Sequence, residues 1–367
     1  MADQVLSRRA LNRSLLARQL LLDRPAAAVP AGLAQLIGLQ AQAQTPPYVA
    51  LWNRVADFDP TVLSDLLVDR QVVRLALMRS TIFLCGADDA LALRPLLQTG
   101  LDRALRGVVG PRLVELDVEA VAAEVRALVE VEPRTLDWLG GQLARRWPEF
   151  EPADLARVAR TVVALVQVPP RGVWGQGGPA AHTSLESWVG RPLDRSRSLE
   201  WLVLRYLDAF GPASVADMQT WSGLTRLAAV VERLRPRLRG WRDDAGVELL
   251  DRPDAPRPDP DIDAPARLLG EFDNVLLAHV DRSRVLADVS AKRVMTSNGL
   301  VRGVALVDGF VRGTWRMERG PASATVVVSA FAPIARRDRA ALAAQAAALS
   351  DLLTPGTTAD LAVVAPG

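Results

Sequence analysis

The chain is poor in the residues that many enzymes use for covalent, metal or acid–base chemistry. Its 367 residues include one cysteine, Cys85, and two histidines, His182 and His279. A single cysteine excludes an intramolecular disulfide, which fits a reducing cytoplasm. The histidines are far apart, and neither has a zinc-binding spacing to Cys85, so we expect no metal and no other cofactor. Lys292 is the only lysine, so a Schiff base could form nowhere else.

Other familiar patterns are also missing. No apolar run approaches the roughly 20 residues of a membrane helix, and arginines interrupt the N-terminal apolar residues, which excludes a signal peptide. The sequence has no glycine-rich phosphate-binding loop and no nucleophile elbow. We therefore expect a cytoplasmic protein without the usual nucleotide-binding or triad chemistry.

Charge is unevenly distributed although the formal net charge is only +2. Residues 282–319 contain eight Arg or Lys and three Asp or Glu, a net of +5, whereas residues 251–263 contain five Asp and two Arg, a net of −3. Such asymmetry permits a basic surface that faces DNA. A solvated surface is the alternative interpretation.

Prolines and capping residues predict helices in three blocks, each followed by short apolar strands. The predicted capping residues are Ser7, Asp59, Thr135, Ser198, Ser214 and Thr225. The predicted helices are 8–22, 30–39, 47–55 and 59–69, then 135–147 and 152–168, then 198–210, 215–221 and 226–235. The strands or wings that follow them are 72–77 with 81–85, 168–175, and 237–250. This order predicts a helix-rich α+β fold of three tandem winged helix-turn-helix domains, with boundaries at 1–95, 96–195 and 196–367.

The last block continues into a β-rich portion. Residues 251–265, with five prolines, read as an irregular linker. Asp308-Gly309 is the strongest hairpin signal in the sequence, between strands at 300–307 and 310–317. A strand at 325–331, a helix at 336–353 and a strand at 361–364 complete the prediction.

Three alternating glutamines stand out between two predicted helices. The side chains of residues two apart point in different directions on a helix. They can therefore lie on one side of the chain only if the backbone is not helical at Gln40, Gln42 and Gln44. Pro46 and Pro47 favour extended geometry in the residues before them. The alternative interpretation is that the glutamines cap a helix end and bond its free carbonyl groups.

The Gln40-Ala41-Gln42 triplet resembles the Gln-x-Gln motif of a bacterial family of winged-helix DNA glycosylases, the AlkZ-like enzymes linked to azinomycin resistance and to unhooking of interstrand crosslinks. The resemblance extends over nearly the whole chain, through residues 46–52, 79–81, 169–174, 210–213, 271–274, 281–284 and 307–315. It implies three winged helices in a C-shaped, DNA-embracing arrangement, and excision of bulky alkylated bases. Relatives often carry histidine at the position of Phe83, so an apolar ring replaces a hydrogen-bonding group here.

The resemblance makes Gln40 and Gln42 the candidate catalytic residues, and Gln44 falls outside the motif. Glutamine has no useful pKa and cannot be a conventional general base. An N7- or N3-alkylated purine is already cationic and leaves without added protonation. The amides would then position a water and stabilise an oxocarbenium-like sugar. We expect Gln42 to hold the water and Gln40 to contact the sugar, phosphate or water, with their order left open.

Several other residues are candidate DNA contacts. Tyr48 and Trp52 share a helix face and could flank the lesion, although core packing is the alternative for Trp52. Arg79 and Thr81, at the first hairpin, could contact phosphate. The remaining candidates for phosphate contact are basic residues considered as a group. For each one, the alternative is a side chain that is only solvated: Arg282, Arg284, Lys292, Arg293, Arg302 and Arg312.

These observations favour a monomeric, monofunctional DNA glycosylase acting on double-stranded DNA that carries bulky cationic alkylpurines. Its role would be DNA repair or self-resistance to a genotoxic natural product. The main alternative is a non-catalytic winged-helix DNA-binding protein or transcriptional regulator. A protein that sequesters the genotoxin is a third hypothesis.

Overall fold

Side-chain caps start several helices where the sequence predicts them. In each case the capping oxygen accepts a backbone N–H of the first turn, which contributes roughly 0.5–2 kcal/mol to stability. Ser214 and Asp217 cap each other reciprocally as a capping box. The other confirmed caps are Ser7, Asp59, Thr135 and Ser198.

The computed structural model describes residues 5–364, the side chain of Pro111 excepted. Its α-helices are α1 (Arg8–Arg18), α2 (Val29–Leu36), α3 (Pro46–Trp52), α4 (Pro60–Val68), α5 (Ala87–Val109), α6 (Val118–Val129), α7 (Leu136–Arg146), α8 (Pro152–Val162), α9 (Leu185–Val189), α10 (Leu199–Phe210), α11 (Val215–Ser222), α12 (Ala228–Leu234), α13 (Asn274–Leu277), α14 (Ser283–Leu286) and α15 (Arg336–Leu353). Its strands are β1 (Val5–Leu6), β2 (Leu39–Gln40), β3 (Val72–Ala76), β4 (Ile82–Gly86), β5 (Arg134–Thr135), β6 (Leu165–Gln167), β7 (Ala181–Ser184), β8 (Arg239–Asp243), β9 (Glu248–Asp251), β10 (Arg267–Leu269), β11 (Val304–Val307), β12 (Phe310–Arg319), β13 (Ser323–Ala330) and β14 (Thr358–Val364). The fold is a mixture of helices and several sheets, so the predicted α+β class is confirmed.

One sheet joins the strands of the first two blocks. Its order is β2-β4-β3-β6-β7-β5, and the junction is the antiparallel pair of Leu75 with Val166. Buried residues of β3, such as Val73 and Leu75, belong to the largest apolar core. The glutamine triplet begins in β2, at one edge of this sheet, so the sheet holds that end of the loop in place.

The start of the chain is attached to its C-terminal half. β1 pairs in parallel with β8, and two fully buried arginines form bidentate ion pairs across the molecule. Arg18 donates to both carboxylate oxygens of Asp251 at 2.8 Å, and Arg54 donates to Asp273 at 2.7 and 2.8 Å. These contacts hold the segment that bears the glutamines against the rest of the protein.

The C-terminal sheet has the order β10-β11-β12-β13-β14. The predicted Asp308-Gly309 hairpin is confirmed, since both residues have positive φ, 50° and 78°, between β11 and β12. Helix α15 connects β13 to β14, which pair in parallel, and buries Leu342, Ala346 and Leu349 against the sheet.

Some predicted boundaries are wrong. The helix predicted at 152–168 ends at Val162, because its apolar continuation forms β6. Thr225 does not cap a helix, since Arg226 has a φ of 60° and α12 starts at Ala228. Helices α5 and α6 have no counterpart in the sequence-based prediction.

The buried ion pairs predict a large stability effect. Arg54→Ala leaves the carboxylate of Asp273 buried without its partner, which we expect to lower the free energy of unfolding by about 3–5 kcal/mol. Chemical denaturation followed by circular dichroism measures this change. Arg8→Ala is the control, because the Arg8–Asp288 pair is solvent-exposed and should leave the midpoint unchanged. Equal midpoints for the two variants would contradict the role given to Arg54.

Candidate active site

The glutamine loop, residues 40–45, follows an abrupt end of helix α2. Ile37 and Gly38 both adopt left-handed conformations, with φ of 54° and 84°, and the chain then enters β2. A Cβ on Gly38 would lie 2.8 Å from both Cys85 Cβ and the carbonyl oxygen of Leu84. The predicted departure from helical geometry at the glutamines is confirmed, and Pro46 then starts α3.

Gln40 is nearly buried and its amide is held by an arginine. Its Oε1 accepts a hydrogen bond of 2.7 Å from Arg79 Nη2, and its backbone pairs with Phe83 in β4. The carbonyl oxygen has a second lone pair, and the Nε2 group has two donors. Gln40 therefore presents its remaining hydrogen-bonding capacity in a fixed orientation.

Gln42 is exposed, and its amide is also oriented. Its Oε1 accepts a 3.1 Å hydrogen bond from the backbone N–H of Ile82. The intervening residue, Ala41, donates to Ile82 O at 2.7 Å and accepts from Arg74 Nη2 at 2.9 Å. The motif is thus fixed by the first hairpin, and Gln42 offers its Nε2 donors to solvent.

Gln44 has a structural contact instead. Its Oε1 accepts a 2.7 Å hydrogen bond from the backbone N–H of Gly172, in the proline- and glycine-rich loop of the second block. Tyr48 donates to the carbonyl oxygen of Gly172 at 2.7 Å, and its ring packs 4.7 Å from that of Trp174. Gln44 and Tyr48 therefore anchor that loop to the first block.

Arg79 connects the first block to the third. It donates to Gln40 and, at 2.8 Å, to the carbonyl oxygen of Trp221 in α11. Arg79 and Ser80 have φ of 55° and 58°, a strained conformation for non-glycine residues. Burial, followed by the nearby charge of Arg282, lowers the pKa of Arg79 to about 10, so its guanidinium is still protonated near neutral pH.

A third arginine beside this turn was not predicted from the sequence. Arg160 of α8, in the second block, points Nη2 toward the carbonyl oxygen of Ser80 at 3.5 Å. We call Arg79, Arg160 and Arg282 the arginine cluster. None of the three is in an ion pair with any carboxylate that the structure describes. An isolated arginine on an amphipathic helix gives no local signal, so only the packing of three blocks reveals it.

The other predicted DNA contacts fall into three groups, which differ in burial. Tyr48, Trp52 and Arg284 are buried, where Trp52 lies under the guanidinium of Arg24 and Arg284 donates to Pro212 O. Burial leaves these three side chains little surface that DNA could contact. Thr81 and Arg282 are half-buried, and Thr81 donates to Met78 O. Four residues are exposed: Lys292, Arg293, Arg302 and Arg312.

The histidines and Phe83 are interior residues. Burial lowers the pKa of His182 to about 4 and that of His279 to about 3, so both are neutral near pH 7. His279 Nε2 lies 3.0 Å from Phe210 O. Phe83 is buried with the Arg79 guanidinium 5.7 Å from its ring centroid. Phe83 thus packs against the arginine that holds Gln40.

Within residues 5–364 the structure has no group of three or more His, Cys, Asp or Glu side chains arranged to hold a metal ion. None of the helices in this part of the chain is long and apolar enough to cross a bilayer.

Comparison with known proteins gives both a structural and a family match. The DNA glycosylase AlkZ of Streptomyces sahachiroi has a solved structure that superposes with a TM-score of 0.80 at 21% identity, covering 98% of this chain and 100% of that chain. At this identity the likeness demonstrates a shared fold. A search of curated proteins found no match. The family model for DNA glycosylase AlkZ-like proteins matches residues 33–352, which is most of the chain. The resemblance in the sequence is thereby confirmed: the chain belongs to the AlkZ-like family of DNA glycosylases.

Proposed function

We propose that this DNA glycosylase is a monofunctional enzyme that hydrolyses the N-glycosidic bond of bulky, cationic alkylpurines. The main observation is that Gln40 and Gln42 are both held in fixed orientations beside the arginine cluster. Preorganised dipoles of this kind stabilise developing charge without reorganising during the reaction. Lys292, the only lysine, is exposed and has no hydrogen bond to the glutamine loop, which supports hydrolysis without a Schiff base.

The different exposure of the two glutamines supports different roles. Gln42 is exposed and can hold the attacking water through an Nε2 donor and the second lone pair of Oε1. Gln40 is nearly buried and can donate Nε2 to the sugar or to a flanking phosphate. In both residues one lone pair already accepts a protein N–H, so neither amide rotates freely.

The lack of an acid at the two amides supports a substrate that is already cationic. Excision of a neutral purine usually needs protonation of the base by a nearby acid. An N-alkylated purine needs no proton, because its charge only moves from base to sugar as the bond breaks. No carboxylate in the described residues hydrogen-bonds to Gln40 or Gln42, so neither amide is paired with an acid that could supply a proton.

The proposed DNA-binding arrangement is three tandem winged helices, with boundaries at 1–95, 96–195 and 196–367, in a C shape around the duplex. The arginine cluster would contact phosphates next to the lesion. The exposed residues Lys292, Arg293, Arg302 and Arg312 would contact phosphates farther along the duplex. Tyr48, Trp52 and Arg284 would support the site from the interior, and Thr81 would stabilise the Arg79 turn.

We further propose that the enzyme acts as a monomer in the cytoplasm, in alkylation repair or in self-resistance to a genotoxic natural product. Bulky adducts are difficult to rotate into a narrow pocket. We therefore expect less dependence on full base flipping than in glycosylases that act on small lesions.

The proposed role of Gln42 can be tested by substitution. We expect wild-type protein to convert DNA containing N7-alkylguanine into alkali-labile abasic sites, and Gln42→Ala to lower the single-turnover rate by about 10²-fold. Binding should change little, because among the described residues Gln42 has no hydrogen bond to the arginine cluster. Gel quantification of alkali-cleaved strands measures the rate, and a filter-binding titration measures the affinity.

Gln71→Ala is the matched control, since Gln71 is exposed and lies outside the glutamine loop. Full activity of Gln42→Ala would remove Gln42 from the mechanism. DNA binding by the wild type without strand breaks for any adduct would instead support the non-catalytic DNA-binding alternative.

The proposed phosphate contact of Arg160 can also be tested by substitution. If its guanidinium contacts a phosphate, Arg160→Ala should weaken binding to every DNA sequence and reduce the slope of log K against log salt by about 0.9. The single-turnover rate at saturating protein should be unchanged. Arg157→Ala is the control, because Arg157 lies one turn away and pairs with Asp154. An unchanged salt slope in Arg160→Ala would exclude a phosphate contact.

A further inference from the structure

A cavity of about 310 Å³ lies between the glutamine loop and the C-terminal sheet. The loop and the start of α3 form one side of it, and β12 and the segment after β10 form the other. Its lining includes Ala43, Thr45, Val49, Glu271, Trp315 and Met317, together with two arginines at the end of β12, Arg316 and Arg319.

The cavity is directly next to the candidate active site along the chain. Ala43 follows Gln42 immediately, and consecutive Cα atoms are about 3.8 Å apart. A group held in the cavity therefore lies close to the backbone of Gln42. Neither Gln40 nor Gln42 lines the cavity itself, so it is separate from the two amides.

One wall of the cavity is a rigid aromatic surface. The indole Nε1 of Trp315 donates a 2.7 Å hydrogen bond to Leu269 O, which fixes the ring plane. Gly303 allows this placement, because a Cβ there would lie 2.8 Å from Nε1 of Trp315. The indole is half-exposed with its one polar group satisfied, as suits contact with an apolar or aromatic partner.

The cavity also contains one unpaired acid. Glu271 is the only acidic residue in the lining, and it forms no ion pair with any described basic residue. Burial raises its pKa. The next residue, Phe272, has a φ of 58°, a strained conformation for an aromatic residue. Strain of this kind clusters at functional sites.

We propose that this cavity receives the apolar or aromatic substituent of the adduct while Gln40 and Gln42 act at the sugar. This inference depends on the proposed glycosylase function and specifies its substrate class. A dry cavity of roughly 150 Å³ can hold one benzene ring. A space about twice as large accommodates a substituent of one or two rings. A methyl group would leave it nearly empty, so the cavity distinguishes bulky from small adducts.

The experiment compares two adducts with a variant that fills the cavity. Met317→Trp places a larger side chain inside, and Thr325→Trp is the control on the neighbouring strand β13, outside the lining. Single-turnover rates are measured for N7-methylguanine and for an N7-guanine adduct with a two-ring aromatic substituent. We expect the ratio of the bulky to the methyl rate to fall about tenfold or more in Met317→Trp. The ratio should not change in Thr325→Trp.

An unchanged ratio in Met317→Trp, or an equal fall in both variants, would overturn the proposal. Leu353→Trp fills the same cavity from α15 and replaces Met317→Trp if that variant does not fold. Wild-type protein that excises the methyl adduct but not the bulky one would overturn this inference and leave the glycosylase function standing. Wild-type protein that excises neither would overturn the proposed function itself.

Discussion

The hydrogen bond from Arg79 to Gln40 is the contact on which the candidate site depends. One guanidinium reaches the amide of the first block and the carbonyl oxygen of Trp221 in the third. Both residues of the Arg79–Ser80 turn have left-handed backbone conformations. Each such conformation lowers the stability of the fold by roughly 1–3 kcal/mol. Close packing sustains this turn, because a Cβ on Gly223 would lie 3.2 Å from Arg79 N. The orientation of Gln40 is therefore a property of the assembled blocks.

The electrostatics of this region are those of a site for an anion. Arg74, beneath the motif, is buried without a carboxylate partner, and one of its Nη atoms has no hydrogen bond to a described residue. Burial and then the charge of Arg171 lower its pKa to about 10. With the arginine cluster it gives the glutamine loop an uncompensated positive field, which favours a phosphate backbone. A glutamate in place of Gln40 would pair with Arg79 and cancel part of that field.

The stability of the fold and the candidate site depend on the same segment. The first 60 residues contain both the glutamines and the two arginines, Arg18 and Arg54, that form buried ion pairs with the C-terminal half. Such pairs contribute modestly to the free energy of unfolding when they are intact. Loss of one partner, however, leaves a buried charge that strongly destabilises the fold. They hold α3 close to the C-terminal sheet, where the cavity beside the glutamine loop is formed. The position of the loop relative to Trp315 is therefore supported by contacts outside the loop itself.

Local chemistry in the sequence determined much of the secondary structure. Ser7, Thr135 and Ser214 start their helices because a hydroxyl beside a free N–H is a local interaction. The Asp308-Gly309 hairpin follows in the same way from two residues that tolerate positive φ. The end of helical geometry at the glutamines and the family resemblance could also be predicted from the sequence. The helix predicted to continue from Pro152 to residue 168 failed because pairing with β3 and β7 overrides a local apolar pattern.

Only the tertiary structure decided which residues share the site. Tyr48 and Trp52 are on one helix face, as predicted, yet that helix is buried on all sides, so they support the fold. Arg284 is basic in sequence and interior in space, whereas Arg160 has no sequence signal and lies beside Arg79. Contacts between residues 80 or more positions apart depend on how whole blocks pack, and no local pattern encodes that packing. The sequence by itself determined the glutamines, their departure from the helix and the family, while the tertiary structure decided their partners, their exposure and the cavity beside them.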